Sequence, residues 1–145
     1  MTRARARRKT GRGAVLEVAK RPAKGELKKH ASELGERYVF VDKGNMPAGK
    51  MYVVARVVRD VRKVYEPAAP RKHDVDAVML FLGSGRGLVG LRAEVELGPE
   101  RRSIESPSAV YVPAGVQHTY RILGGSGTYV KIVLAPGGDY NAVTT

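Results

Sequence analysis

From Tyr38 onward the chain is a series of short apolar runs separated by glycines, prolines and polar turns. The runs are rich in valine and tyrosine, which favour strands. Short strands at fairly regular spacing, with glycine and proline between them, indicate an all-β sandwich or barrel. Connections of a few residues favour antiparallel neighbours. The predicted strands are 38–42, 51–58, 61–65, 75–82, 91–97, 101–105, 110–112, 119–123 and 128–134.

One short amphipathic helix is predicted before these strands, over residues 24–36. The segment contains helix formers, and Leu27, Ala31 and Leu34 lie at positions i, i+4 and i+7 of one helical face. The glycine-rich segments 83–90 and 124–127 are interpreted as connections between strands.

Positive charge is concentrated at the N-terminus. The formal net charge is +12, and residues 1–30 contribute +9 of it through eleven Lys or Arg and two Glu. Residues 1–12 have almost no apolar content and are predicted to form a disordered basic tail, with residues 13–145 as a single domain. The tail is interpreted either as a nucleic-acid-binding arm or as a solvated tail. The solvated tail is favoured, because no aromatic side chain lies among the basic residues to stack on bases.

Several classes of protein are excluded by composition. Cysteine is absent, so there are no disulfides, thiolate metal sites or cysteine nucleophiles. No apolar run approaches the roughly 18 residues of a membrane span, and the N-terminus lacks the apolar stretch of a signal peptide. We therefore expect a cytoplasmic protein without membrane partners. The three amide residues, Asn45, Gln117 and Asn141, and the many arginines are typical of proteins from hot environments.

Two segments carry the residues best suited to a functional site, and they are 70–83 and 107–118. In a strand, alternate side chains point to the same side. Arg71, His73 and Ala77 are therefore predicted to share one face.

These segments resemble the two signature motifs of the cupin family. The second family motif, Pro-x-Gly-x-x-His, is matched in full by Pro113-Ala-Gly-Val-Gln-His118, and its proline and glycine favour a turn that brings His118 over the same pocket. The first, His-x-His followed by Glu and then Gly, is matched in part. The stretch Lys-His-Asp-x-Asp and the strand Ala-Glu-Val-Glu are similar to a branch of small cupins whose first motif reads His-Lys-His-Asp-Phe-Asp-Glu. The resemblance covers about residues 50–136.

The resemblance implies an antiparallel jelly-roll barrel, and a homodimer, because sheet edges need covering. It also implies a divalent transition metal such as Mn, Fe, Ni or Zn, held by histidines and a glutamate. In this sequence Arg71 stands at the first histidine position and Ala77 at the glutamate position. Arginine stays protonated and has no lone pair for a metal, and alanine has no ligand atom. The cofactor prediction is therefore none, or a metal held by His73 and His118.

In the favoured interpretation the metal is lost. Arg71 then binds a small anionic or polar metabolite beside His73 and His118, since a guanidinium suits carboxylate or phosphate. Tyr111 is predicted as a wall of this pocket. Lys131, which interrupts an apolar strand, is interpreted as a surface charge.

Two alternatives differ in class. In one, a metal is retained by the two histidines and by Glu94 or Glu96, and the protein is a metal-dependent enzyme such as a dioxygenase or an isomerase. In the other, the barrel is only a scaffold for oligomerisation. Fold does not imply function, so the sequence leaves enzymatic activity open.

Overall fold

The computed structural model describes residues 8–10, 14–16, 18–20, 35–64 and 70–135. The predicted helix lies outside the described residues except for its last two positions, and the strand β3 begins at the second of them, Glu36. The basic tail is described only at Arg8–Thr10, where a disordered tail was predicted. Here the backbone forms the strand β1, which pairs antiparallel with β2 (Ala14–Leu16).

The remaining strands form one seven-stranded antiparallel sheet, which confirms the predicted all-β class. The strands are β3 (Glu36–Val41), β4 (Met51–Val61), β5 (Ala77–Gly83), β6 (Leu91–Leu97), β7 (Glu100–Glu105), β8 (Ser108–Val112) and β9 (His118–Leu134). A 3-10 turn, Arg86–Leu88, precedes β6. None of the helical structure in the described part of the chain is long and apolar enough to span a membrane.

The sheet is not closed into a barrel, and the expectation of closure was wrong. Its order is β3-β4-β9-β5-β8, with β6 pairing with both β9 and β7. Within the described residues, β7 and β8 each pair along one edge only, and β3 has beyond β4 only an isolated bridge from Val39 to Lys20. The sheet instead folds over itself, because the long strand β9 bends and carries neighbours on both sides of the bend.

The strand β9 runs without interruption for 17 residues, where two strands and a turn were predicted. Its first half pairs with β6, from His118 opposite Leu97 to Gly125 opposite Leu91. Its second half pairs with β5, beginning at Gly127 opposite Gly83. The glycine run is therefore the point at which β9 changes neighbours on this edge, while β4 pairs with its second half, from Gly125 to Leu134.

Glycine is required at this point because two backbones approach closely. A Cβ atom at Gly125, whose φ is +95°, would lie 1.9 Å from the carbonyl oxygen of Gly90. A Cβ atom at Gly127 would lie 2.2 Å from the carbonyl oxygen of Leu82. A glycine run is an ordinary turn signal, but inside a strand it also marks a bulge or close backbone contact.

The core lies on the inner face of the folded sheet. Residues alternate between this face and the outer face, so β5 contributes Ala77, Met79 and Phe81 to the interior. Phe81 contacts a stacked pair of tyrosines, Tyr120 and Tyr129, whose ring centroids are 4.2 Å apart. The same inner face carries the polar side chains described below.

Replacing Gly125 with alanine tests the bend. The new Cβ would overlap the Gly90 carbonyl oxygen and would hold an unfavourable positive φ, so we expect a loss of more than about 2 kcal/mol in the free energy of unfolding. Gly98→Ala is the matched control, since Gly98 also has a positive φ (+57°) but nothing lies within 4 Å of its Cβ position. It should lose only about 1 kcal/mol in urea unfolding. Equal losses in the two variants would contradict the assigned role of the close contact.

Candidate functional site

The two sequence segments meet through backbone hydrogen bonds. The amide of Arg71 donates to the His118 carbonyl (3.0 Å), and the amide of His118 donates back to the Arg71 carbonyl (2.7 Å). Gly115, with φ of +82°, donates its amide to the His73 carbonyl at 2.7 Å. These bonds bring Arg71, His73 and His118 together, each 1% exposed. The two imidazole ring centroids are 4.9 Å apart.

The tautomer of His118 is determined by its neighbours. Its Nδ1 lies 3.0 Å from the carbonyl oxygen of Val116. A carbonyl only accepts, so Nδ1 carries the proton and Nε2 has a lone pair. That lone pair faces Nζ of Lys131 at 3.0 Å, and the lysine is the donor.

Lys131 is a functional candidate that the sequence reasoning placed on the surface. It is 1% exposed and lies on the inner face between Tyr129 and Val133. Burial, and then the charges of Arg71 and Arg37, hold the pKa of its amine well below the usual value. The apolar run around it was the only available sequence signal, and it did not show which face the lysine occupies.

Two further buried cations were also missed, Arg37 in β3 and Arg56 in β4. They are cross-strand partners, and Arg56 is in turn opposite Tyr129 of β9. Nη2 of Arg37 donates to the hydroxyl of Tyr52 at 3.1 Å. Its Nε and Nη1 atoms are buried and have no hydrogen-bond partner in the described part of the chain.

A small cavity lies among these side chains. Its volume, measured as the space open to the centre of a water-sized sphere, is about 10 Å³. That is room for about one water molecule. The lining residues are Arg37, Val54, Ala55, Arg56, Tyr120, Tyr129 and Lys131.

The electrostatic field of this inner pocket is positive. Among the described residues, the buried side chains with a formal charge are Arg37, Arg56, Arg71 and Lys131, and no Asp or Glu is buried with them. Burial and the charge of Lys131 lower the pKa of His118 to about 4, against a smaller opposing effect of the Val116 carbonyl. Burial, Lys131 and His118 lower the pKa of His73 to about 2. Both imidazoles are therefore neutral at pH 7.

Three residues named from the sequence lie away from this pocket. Tyr111 is 59% exposed, and its hydroxyl donates to Asp76. Glu94 and Glu96 lie on the opposite face of β6 from its buried residues, with their carboxylates 3.2 and 3.5 Å from Nη1 of Arg121. Glu96 is also 2.6 Å from Nε of Arg101.

Solved structures with this architecture were found by comparison. Oxalate decarboxylase from Bacillus subtilis superposes with a TM-score of 0.54 over 93% of this chain and 34% of that chain, at 12% identity. A protein from Planctomyces limnophilus gives 0.54 over 92% and 98%, at 16% identity. The DMSP lyase DddQ from Ruegeria pomeroyi gives 0.52 over 75% and 49%, at 15% identity. The chain has the fold of the cupin superfamily.

This fold confirms the antiparallel jelly-roll arrangement that the sequence resemblance implied, apart from closure of the barrel. This chain spans about a third of the length of the oxalate decarboxylase. Identities of 12% to 16% show the fold alone. No protein-family model and no curated protein matched the sequence.

The side chains at the cupin motif positions do not fit a metal centre. In the described residues, no group of three or more His, Asp or Glu is arranged to hold a metal ion. Two histidines remain at these positions. In His118, Nδ1 is hydrogen-bonded to the Val116 carbonyl and Nε2 to the amine of Lys131. A lysine amine occupies the lone pair that a metal would take, and neither Arg71 nor Ala77 supplies a ligand atom.

The buried neutral histidines predict that stability falls in mild acid. The pKa values of His118 and His73 are about 4 and about 2 when folded, against 6.5 for an unperturbed histidine. Below about pH 6.5 the unfolded chain therefore binds protons that the folded chain does not, and the free energy of unfolding decreases as pH falls. The slope should approach about 1.4 kcal/mol per pH unit for each histidine.

Urea unfolding between about pH 7 and pH 5 measures this slope above most carboxylate titrations. The variant His118→Gln should have a shallower profile than the wild type, because one of the groups that take up a proton on unfolding is gone. A wild-type profile that is flat over this window would contradict the assignment of neutral, buried imidazoles.

Proposed function

We propose that the protein binds a small anion, or the anionic end of a small metabolite, in the inner pocket of its cupin fold. The groups that recognise it are the guanidinium groups of Arg37, Arg56 and Arg71 and the amine of Lys131. The neutral histidines His73 and His118 lie beside this group, with His118 Nε2 3.0 Å from the amine of Lys131. The chemical class is carboxylate or phosphate, because a guanidinium donates two parallel hydrogen bonds to either.

The observation that supports this proposal most is the burial of Arg37 with donors that lack an acceptor among the described residues. Its side chain is buried, with 6% exposed, and two of its N–H groups have no acceptor in the described part of the chain. A buried charged donor without an acceptor costs several kcal/mol. An anion at this position supplies the acceptors and also offsets the charge.

The walls of the pocket restrict the size of what enters. Tyr120 and Tyr129 stack on each other, and Tyr129 lies opposite Arg56 across the β4–β9 pair. The cavity that they line holds about one water molecule. The proposed ligand therefore places one small charged group beside Arg37, with any larger part directed away from the aromatic pair.

The metal-dependent enzyme was the alternative function, and it receives less support. It requires further ligand atoms from residues outside the described part of the chain. It also requires Lys131 to leave Nε2 of His118, which lies 3.0 Å from its amine.

Arg37→Gln tests the proposed anion site. Loss of one charged hydrogen-bond donor is worth about 1.5–3 kcal/mol, so the Kd for the anion that binds best should rise about 10- to 100-fold. Calorimetric titration with formate, acetate, phosphate and a neutral amide of similar size measures it. Arg86→Gln is the control, because Arg86 is exposed, and it should bind as the wild type does. Equal Kd values for the wild type and Arg37→Gln would contradict the site.

A second pair of variants separates an anion pocket from a metal-centred one. In an anion pocket, Arg71→Ala should weaken binding more than His73→Ala, because the guanidinium carries the charge. Equal or reversed effects would indicate that the imidazoles are the binding groups.

A further inference from the structure

Lys131 has a chemical environment that ordinary packing does not explain. Its amine is buried beside Arg71 and Arg37, which oppose a positive charge on it. Its hydrogen-bond partner among the described residues is a neutral imidazole nitrogen of His118 rather than a carboxylate. An uncharged amine is a nucleophile. The amine of Lys131 lines a cavity that is also lined by Arg37, which has two unpartnered N–H groups among the described residues.

We propose that Nζ of Lys131 reacts reversibly with carbon dioxide to form a lysine carbamate inside the pocket. A bond forms between Nζ and the carbon atom, and one C=O double bond opens to give a carboxylate. One proton leaves Nζ and passes to water. No oxidant, reductant or further reactant is needed, and the product carries one negative charge.

The arrangement of donors and acceptors suits the product. The N–H that remains on the carbamate donates to Nε2 of His118, which the Val116 carbonyl keeps as an acceptor. A carbamate oxygen is an acceptor for Nε or for Nη1 of Arg37, which lines the same cavity. A cavity with room for about one water molecule admits carbon dioxide more readily than a larger electrophile.

The charge balance favours the same step. Burial and the charges of Arg71 and Arg37 lower the pKa of the Lys131 amine, so the uncharged form that attacks carbon dioxide is more accessible than in an exposed lysine. A carbamate then replaces a neutral group with an anion among arginines, which favours the product. This proposal rests on the proposed function. The anion in the pocket is then the carbamate that forms on Lys131 from carbon dioxide.

The experiment is ¹³C NMR of the full chain in buffer with ¹³C-labelled bicarbonate. The wild type should show a carbamate resonance that disappears when the labelled gas is purged. Lys131→Met should lack the resonance. Lys63→Met is the matched control, since Lys63 is exposed, and it should keep the resonance. A resonance that persists in Lys131→Met, or its absence from the wild type, would overturn the proposal.

Chemical trapping in the wild type avoids dependence on whether a variant folds. A trialkyloxonium reagent converts carbamates to stable esters, and peptide mass mapping then locates the modified lysine. We expect the modification on Lys131. Modification confined to other lysines or to the N-terminal amine would refute the assignment.

The failure of this step is separable from the failure of anion binding. In buffer free of carbon dioxide, acetate or phosphate should bind with the dependence on Arg37 stated above. If that binding is present and no carbamate forms, the carbamate inference alone is wrong. If neither is observed, the proposed function is wrong as well.

Discussion

The bend in β9 changes which side chains of that strand point into the fold. Up to Gly124 the even-numbered residues are buried, including His118, Tyr120 and Ile122, whereas from Gly127 onward the odd-numbered residues are buried. The parity changes at Gly125 and Ser126, beside the register shift between Val58 and Val61 in the β4–β9 pair. Lys131 would point outward from an unbroken strand, and the shift places it on the inner face, 3.0 Å from His118. The chemistry of the pocket therefore depends on backbone contacts that only glycine permits at Gly125 and Gly127.

That geometry brings cations to the positions at which the sequence resemblance implied a metal. Arg71 and Lys131 stand around the two histidines, and Arg37 and Arg56 extend the positive charge across β3 and β4. Buried charges need compensation. A cation cluster recognises an anion for the same electrostatic reason that it opposes a metal ion. Burial and the same positive charges lower the pKa values of His73 and His118.

The sequence predicted most of the strands and the meeting of Arg71, His73 and His118, because these follow from alternation and from two local motifs. It did not predict Arg37 and Arg56, since their positions depend on pairing between distant strands. Lys131 was assigned to the surface because the parity shift at the glycine run is not visible in the spacing of residues. Glu94 and Glu96 were recognised as lying on one face of a strand, but alternation alone does not say which face is buried. The glycine run was predicted to be a turn, because glycine is common both in turns and at irregular points inside strands.

We propose that a lysine and arginines stand where the resemblance to cupins implied a metal ion. Elemental analysis distinguishes the two, using protein purified without an affinity tag, incubated with Mn, Fe, Ni and Zn and then dialysed. We expect metal well below one ion per chain, with no difference between the wild type and His118→Ala. Metal close to one ion per chain in the wild type, lost in both His73→Ala and His118→Ala, would contradict it.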